Sequence, residues 1–197
     1  MDDYFKVTVP EGKSGDWSVR KYTVTEEQAR AEKLHATLHR DRRHVDAGTY
    51  TALYHRGNLI MSDTRDEYRD LWPMLWEAKG RILINGLGLG YCTQACLMIP
   101  GVEHATVIEI SPDVIALVAP HYKAMFGDRL TIINADAYEW SPPKGESYDA
   151  VWHDIWGNIS SENLEGMKKL HRKYGRKADW QGSWCRARCA AGAAYGY

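Results

Sequence analysis

The 197-residue chain has no run of about 18 apolar residues, so nothing in it reads as a membrane-spanning helix. It has almost no net charge, −1 with a pI near 6.7, and so no global pull toward nucleic acid or a membrane. Its first residues, MDDYFKVTVPEGKSGDW, lack the basic-then-apolar order of a secretory leader, and a cytoplasmic location is the expectation. Internal repeats are lacking, and low complexity is confined to a small-residue tail, CAAGAAYGY, which is expected to fray. Cysteine is scarce, with four in two i, i+4 pairs, Cys92/Cys96 and Cys185/Cys189. Two such pairs could complete a zinc tetrahedron. Cys92 and Cys96 nevertheless fall where small apolar residues pack on a sheet, so buried thiols and no metal are expected. His35 and His39 share that spacing without the acid that follows the first His in H-E-x-x-H, and read as exposed histidines on a charged helix.

A hydrophobic fraction of 44% and a charged fraction of 26% are those of an ordinary globular protein, long enough to bury a core without staples. The length favours one domain or one domain with an appendage, divided here as residues 1–79 and 80–197. Residues 1–24 read as a short strand or extended arm with a turn at Glu11–Asp16. Thr25 and Gln28 form a capping-box pair in front of a mostly solvated helix over Glu26–Val45. Thr49–Ile60 reads as a hairpin around Arg56-Gly57-Asn58, and Asp66–Trp76 as a helix. Beyond these, strands at Arg81–Asn85, Thr106–Ile110, Leu130–Ala135 and Tyr148–Ile155 alternate with helices at Tyr91–Ile99, Pro112–Phe126 and Ser160–Tyr174. That alternation predicts an α/β fold with a parallel sheet covered on both faces.

The first of these strands runs into Gly86-Leu87-Gly88-Leu89-Gly90, and the second ends at Glu109. A glycine loop between strand and helix lets a ligand approach backbone, and an acid at the next strand tip can accept from both hydroxyls of a ribose. Asp136 and Asp154 close the third and fourth strands, so four features converge where open α/β sheets bind ligands. Asp136 reads as an acceptor for an adenine amine or as a cap of the following turn. Tyr91, Trp152 and Trp156 flank the far end, where rings could face a cation, and His153 is a further candidate base.

RILINGLGLGY, VIEISPDVIALV, RLTIINADAYEW and ESYDAVWHDI followed by SSENL together resemble the class I S-adenosylmethionine-dependent methyltransferases, and within them the spermidine synthase branch. GNLIMSDTRDEY extends the resemblance upstream, to roughly residues 50–165. It implies a Rossmann-like methyltransferase fold with an N-terminal helix and β-hairpin, here with a shortened C-terminal end. The implied cofactor is S-adenosylmethionine or its decarboxylated form. Gly86, Leu87, Gly88, Gly90, Glu109, Ile110, Asp136 and Ala137 would hold it, with Glu109 on the ribose and Asp136 on the adenine. Asp154 would orient and deprotonate the nucleophile.

Four departures from that pattern shape the expectations. Ile84 stands where many methyltransferases carry an acid, and Asp70-Leu71 where polyamine synthases carry Tyr-Gln. Asp154-Ile155-Trp156-Gly157-Asn158 lacks the second acid and proline of those synthases, and the chain has room for only one more short strand, at ADWQGSW. A diamine held by several carboxylates is therefore not expected, and methyl transfer to a small acceptor, such as an amine, ranks ahead of aminopropyl transfer. A cofactor-binding protein without catalysis is the third alternative. Backbone N–H groups of the glycine loop are expected to meet the methionine carboxylate. An open sheet edge suggests a homo-oligomer. Eight Lys/Arg against two acids between Glu165 and Arg188 read as a solvated face, with a phosphate-contacting nucleic-acid surface as the alternative.

Overall fold

A computed structural model of the chain describes residues 6–38 and 43–195. Two sheets organise it. The first is antiparallel, in the order β1-β2-β3-β4, from β1 (Gly12–Ser14), β2 (Trp17–Val24), β3 (Gly48–His55) and β4 (Asn58–Ser62). Arg56 (φ 51°) and Gly57 (φ 84°) make the two-residue turn joining β3 to β4, the left-handed pair that matches strand twist. α1 (Glu26–Leu38) opens on the expected capping box: the Thr25 N–H donates to Gln28 Oε1 (2.8 Å) and the Gln28 N–H to Thr25 Oγ1 (3.2 Å). The helix is described as far as Leu38, and residues 43–45 are not helical, so it does not reach the expected Val45; His39 lies outside the described residues. Asp63, fully buried, accepts from the Val7 N–H (3.0 Å) and the Thr51 N–H (2.8 Å), tying the N-terminal arm to this sheet.

The single helix expected over Asp66–Trp76 is two short ones, α2 (Arg65–Asp70) and α3 (Trp72–Glu77). Pro73 lacks the N–H that would continue one ladder, and the turn tightens to Leu71 N–H donating to Tyr68 O (3.1 Å).

The second sheet is parallel throughout, in the order β7-β6-β5-β8-β9. Its strands are β5 (Gly80–Asn85), β6 (Val102–Glu109), β7 (Leu130–Asn134), β8 (Tyr148–His153) and β9 (Ala178–Ser183). Their connections carry α4 (Tyr91–Leu97), α5 (Pro112–Phe126) and α6 (Asn163–Tyr174). Helix cover on both faces explains the near-continuous burial of Ile82, Leu83 and Ile84 in β5 and of Ala150, Val151 and Trp152 in β8. The fold is therefore α/β and Rossmann-like, as expected. From central β5 the chain winds out through β6 and β7, then returns to β8 on the other side. The strand order reverses between β5 and β8, and a crevice opens beyond their carboxyl ends.

The C-terminal tail does not fray within the described residues. After β9, α7 (Arg186–Tyr195) packs on α6 and buries Cys189 completely, because its alanines favour helix and its small side chains allow close approach. No described helix is long and apolar enough to cross a membrane.

Candidate active site

A cavity of about 470 Å³ fills the crevice. It lies within the range of small-molecule sites, roughly 300–1,000 Å³. The parallel sheet supplies its floor through residues that follow β5, β6, β7 and β8, and Trp17, Leu53, Ile60 and Met61 of the antiparallel sheet roof it. Gly86, Leu87, Gly88, Glu109, Ile110, Asp136, Ala137 and Asp154 all line it. Gly90 does not. It starts α4 at φ 73°, and a Cβ there would sit 2.0 Å from the Tyr122 ring, so its absence of a side chain serves packing. At Gly86 (φ 101°) a Cβ would meet the Asp154 carbonyl oxygen at 2.0 Å, which lets the β5 and β8 loops close on each other.

The half of the cavity beside β6 and β7 is preorganised by backbone. Glu109, 8% exposed, accepts from the Leu87 N–H through Oε2 and from the Ser111 N–H through Oε1, both at 2.8 Å. A carboxylate has about four lone-pair sites, so two remain for hydroxyl donors. Asp136 accepts from the Tyr138 N–H (2.8 Å) and so caps the turn after β7 while facing the cavity.

The other half is charged differently. Asp154 is part-exposed, its open side toward the cavity, and the Asp154 N–H donates to Asn85 O (2.8 Å). Burial of its carboxyl raises its pKa to about 7; the neighbouring Trp152 indole N–H opposes the rise and Asp70 adds to it. Glu67 of α2 reaches the same cavity, and its pKa rises to about 8 through burial, then the nearby Asp154 and Asp70 charges. Asp70 is held by Arg43 in a bidentate ion pair (2.9 Å) and does not line the cavity, whereas Leu71 does. Four acids thus face the cavity, and among the described residues no Lys, Arg or His lines it.

Several expectations need correcting. His153 points away from the site. Its Nδ1 meets Asn85 Nδ2 (2.8 Å) and its Nε2 meets Gln181 Oε1 (3.3 Å), and burial holds its pKa down to about 4. It is part of the core on the α6 face, packed on Tyr174 and His171. Trp152 is core as well, 1% exposed and stacked on Trp180, while Tyr91 and Trp156 do line the cavity. The glycine-loop N–H groups are largely engaged: Gly86 with Ile108 O, Leu87 with Glu109, Leu89 with the Met61 sulfur and Gly90 with Leu87 O. The cysteines need only a small correction: all are free thiols, Cys92, Cys96 and Cys189 buried as expected and Cys185 partly exposed, and no group of three or more metal-ligating side chains assembles among the described residues. Cys92 lines the cavity, and the adjacent Cys96 thiol and burial push its pKa up.

Sequence reasoning missed Glu67, although it belongs to the TRDE stretch that carried the resemblance, because nothing local shows that α2 tips it toward β8. Trp184, just after β9, also lines the cavity and had no signal beyond its ring.

No family model matches the chain. It is 36% identical over 116 residues to polyamine aminopropyltransferase 2 of Ralstonia nicotianae, covering 52% of this chain and 22% of that protein. To polyamine aminopropyltransferase 1 of Streptomyces coelicolor it is 33% identical over 114 residues, 52% of this chain and 21% of that one. The chain therefore spans about a fifth of the length of the curated relatives it matches. The resemblance to the spermidine synthase branch is thus met by relatives of that kind. Among solved structures, N-methyltransferase NodS from Bradyrhizobium japonicum aligns at 16% identity with a TM-score of 0.45, covering 58% of this chain and 61% of that one. The CcbJ methyltransferase from Streptomyces caelestis aligns at 14% with a TM-score of 0.43, covering 57% and 45%. At these scores neither carries a functional argument.

Proposed function

We propose that this chain binds an S-adenosyl sulfonium compound and transfers a carbon group from its sulfur to an amine, with aminopropyl transfer from the decarboxylated cofactor ahead of methyl transfer. One observation carries the reading: a cavity at the topological switch point, faced by four acids and by no Lys, Arg or His among the described residues. Such a lining favours ligands that are cationic along their length. The residues present suit the nucleoside. Glu109 has lone pairs left for a ribose diol, Asp136 can accept from an exocyclic amine, and Ile108, Ile110 and Ala137 offer apolar surface to a base. When bound, the cofactor supplies a carbon already activated by a positively charged sulfur, so the protein's task is alignment and proton removal. Asp154 faces that end of the cavity and is the group to orient the acceptor nitrogen and take its proton.

The expected order, methyl before aminopropyl transfer, follows from the missing second acid and Tyr-Gln pair and from loop N–H groups meeting a methionine carboxylate; the last of these grounds weakens here. Four of the five loop N–H groups already have acceptors, which favours a cofactor without that carboxylate. Methyl transfer is the second reading, supported by the Gly88 backbone, which lines the cavity. Side-by-side calorimetric titration separates the two. We expect the decarboxylated compound to bind at least about tenfold more tightly than S-adenosylmethionine, a difference of about 1.4 kcal/mol. Addition of putrescine should then release methylthioadenosine. Tighter binding of S-adenosylmethionine, with S-adenosylhomocysteine as product, reverses the ranking; binding without any product makes the chain a non-catalytic binder. Absence of heat with either compound at about 1 mM would sink the whole reading.

A further inference from the structure

We propose that Glu67 is a second catalytic carboxylate of this cavity, pairing with Asp154 to seat the acceptor ammonium and accept its proton. The inference rests on the transfer reading above but assigns a residue from a different part of the chain. Glu67 sits on α2, within the N-terminal region, and Asp154 follows β8, so no short-range motif links them. Both line one cavity, Glu67 feels the Asp154 charge, and the Asp70 charge reaches both.

The surroundings make this pair unlike a solvated acid cluster. Arg43, whose charge reaches Glu67, is already committed to Asp70 through two guanidinium nitrogens. Facing Asp154 from α4 is the Cys92 thiol, and beyond Asp70 lies the Cys185 thiol, neither of which brings a positive charge. Glu109 and Asp136, the other charged groups of the lining, belong to the opposite half and are held by backbone N–H groups. The buried Trp152 indole N–H lies beside Asp154 and steadies its ionised form without bringing a full charge. Two carboxyl groups therefore line one cavity into which no protein cation reaches among the described residues. An ammonium ligand supplies the missing charge.

The chemistry balances. A proton passes from the acceptor ammonium to the carboxylate pair, and the freed nitrogen lone pair forms an N–C bond at the carbon next to sulfur. The C–S bond breaks with its electrons staying on sulfur, which becomes a neutral thioether, and the proton leaves the pair to solvent. Two carboxyl groups that interact strongly release their protons stepwise. One can thus stay ionised to hold the ammonium while the other takes up its proton. Burial above all, with the Asp70 charge acting on both groups and the Asp154 charge on Glu67, holds both protons to near-neutral pH, so the seat gains its charge between about pH 7 and about pH 8.

Glu67→Gln tests this with readouts other than turnover. Putrescine is titrated calorimetrically into the whole chain, with and without methylthioadenosine, at pH 6 and pH 8.5. Wild-type protein should bind putrescine at least about tenfold more tightly at the higher pH. Glu67→Gln should lose most of that rise while binding methylthioadenosine as the parent does. The variant removes a buried charge rather than adding one, and circular dichroism verifies its fold. An unchanged pH dependence of putrescine binding in the variant overturns the proposal, as does a wild-type protein that binds no putrescine. A wild-type protein that binds putrescine with this Glu67-dependent profile but ignores every S-adenosyl compound would refute the transfer reading and leave the amine seat standing.

Discussion

The two halves of the cavity use the same side-chain chemistry in opposite ways. Beside β6 and β7, Glu109 and Asp136 are locked by N–H groups of the very loops they cap, so their charge is compensated before any ligand arrives. Beside α2 and β8, Glu67 and Asp154 line the same cavity, and burial raises their pKa values to about 8 and about 7. A carboxylate fed by backbone donors is a fixed acceptor, suited to hydroxyl and amine groups of constant charge. A carboxylate buried against another is a proton store, suited to a ligand whose charge changes during reaction. The comparison teaches that position on the sheet alone does not set an acid's role; the donors around it do.

Asp154→Asn should break the proton-handling half most severely. We expect methylthioadenosine release from the decarboxylated cofactor and putrescine to fall by about 10²–10⁴-fold, the usual worth of a general base. Methylthioadenosine binding should stay within about threefold. A matching loss of nucleoside affinity would merge the two halves into one.

Glu109→Ala attacks the preorganised half. Loss of two charge-assisted hydrogen bonds, about 2–3 kcal/mol, should weaken nucleoside binding about thirty- to a hundredfold by calorimetry. Because Glu109 also holds Leu87 and Ser111, thermal unfolding of the same variant separates lost contact from a slackened loop. Affinity equal to the parent's would reduce Glu109 to a strand-end brace.

The sign of the pH effect sharpens the contrast. Glu67 has its folded pKa raised from 4.5 to about 8, so its stabilising contribution is present below about pH 4.5 and is lost as pH rises through about 8. Glu67→Gln, permanently neutral, should match the parent's stability near pH 4.5. At pH 8.5 it should exceed the parent by about 1–2 kcal/mol, a value reduced for the partial exposure of this side chain. Urea melts across that range measure it, and a flat difference would remove Glu67 from the pair.

The smallest effect is expected at Asp136. Asp136→Asn keeps the side-chain oxygen that caps the turn and loses only charge, so nucleoside binding should weaken about fivefold, near 1 kcal/mol. A hundredfold loss would give Asp136 a role equal to Glu109.

Much of this site was legible from spacing. The glycine loop and the acids at 109, 136 and 154 stand at successive strand tips, and parallel strands bring their carboxyl ends together whatever the helices between them do. Alternation along β8 also allowed His153 to face away from Asp154, and it does, into the contact with Asn85 and Gln181. Gly90 misled because glycines in a loop look alike in sequence; only the Tyr122 ring beneath it shows that packing demands the missing side chain. The tail misled as well, since its alanines suit either a frayed end or a helix, and burial of Cys189 against α6 decides for the helix.

The sequence by itself determined the parallel α/β frame, the capping box of α1, the Arg56-Gly57 turn and the strand-tip acids, because each follows from interactions within a few residues or from strand polarity. Tertiary structure alone decided which charges meet. Glu67 and Asp154 come from segments 87 positions apart, Arg43 is spent on Asp70, and Met61 occupies a loop N–H that an anion would have needed. Those outcomes depend on desolvation and on neighbours brought in across long loops, quantities that no local pattern encodes.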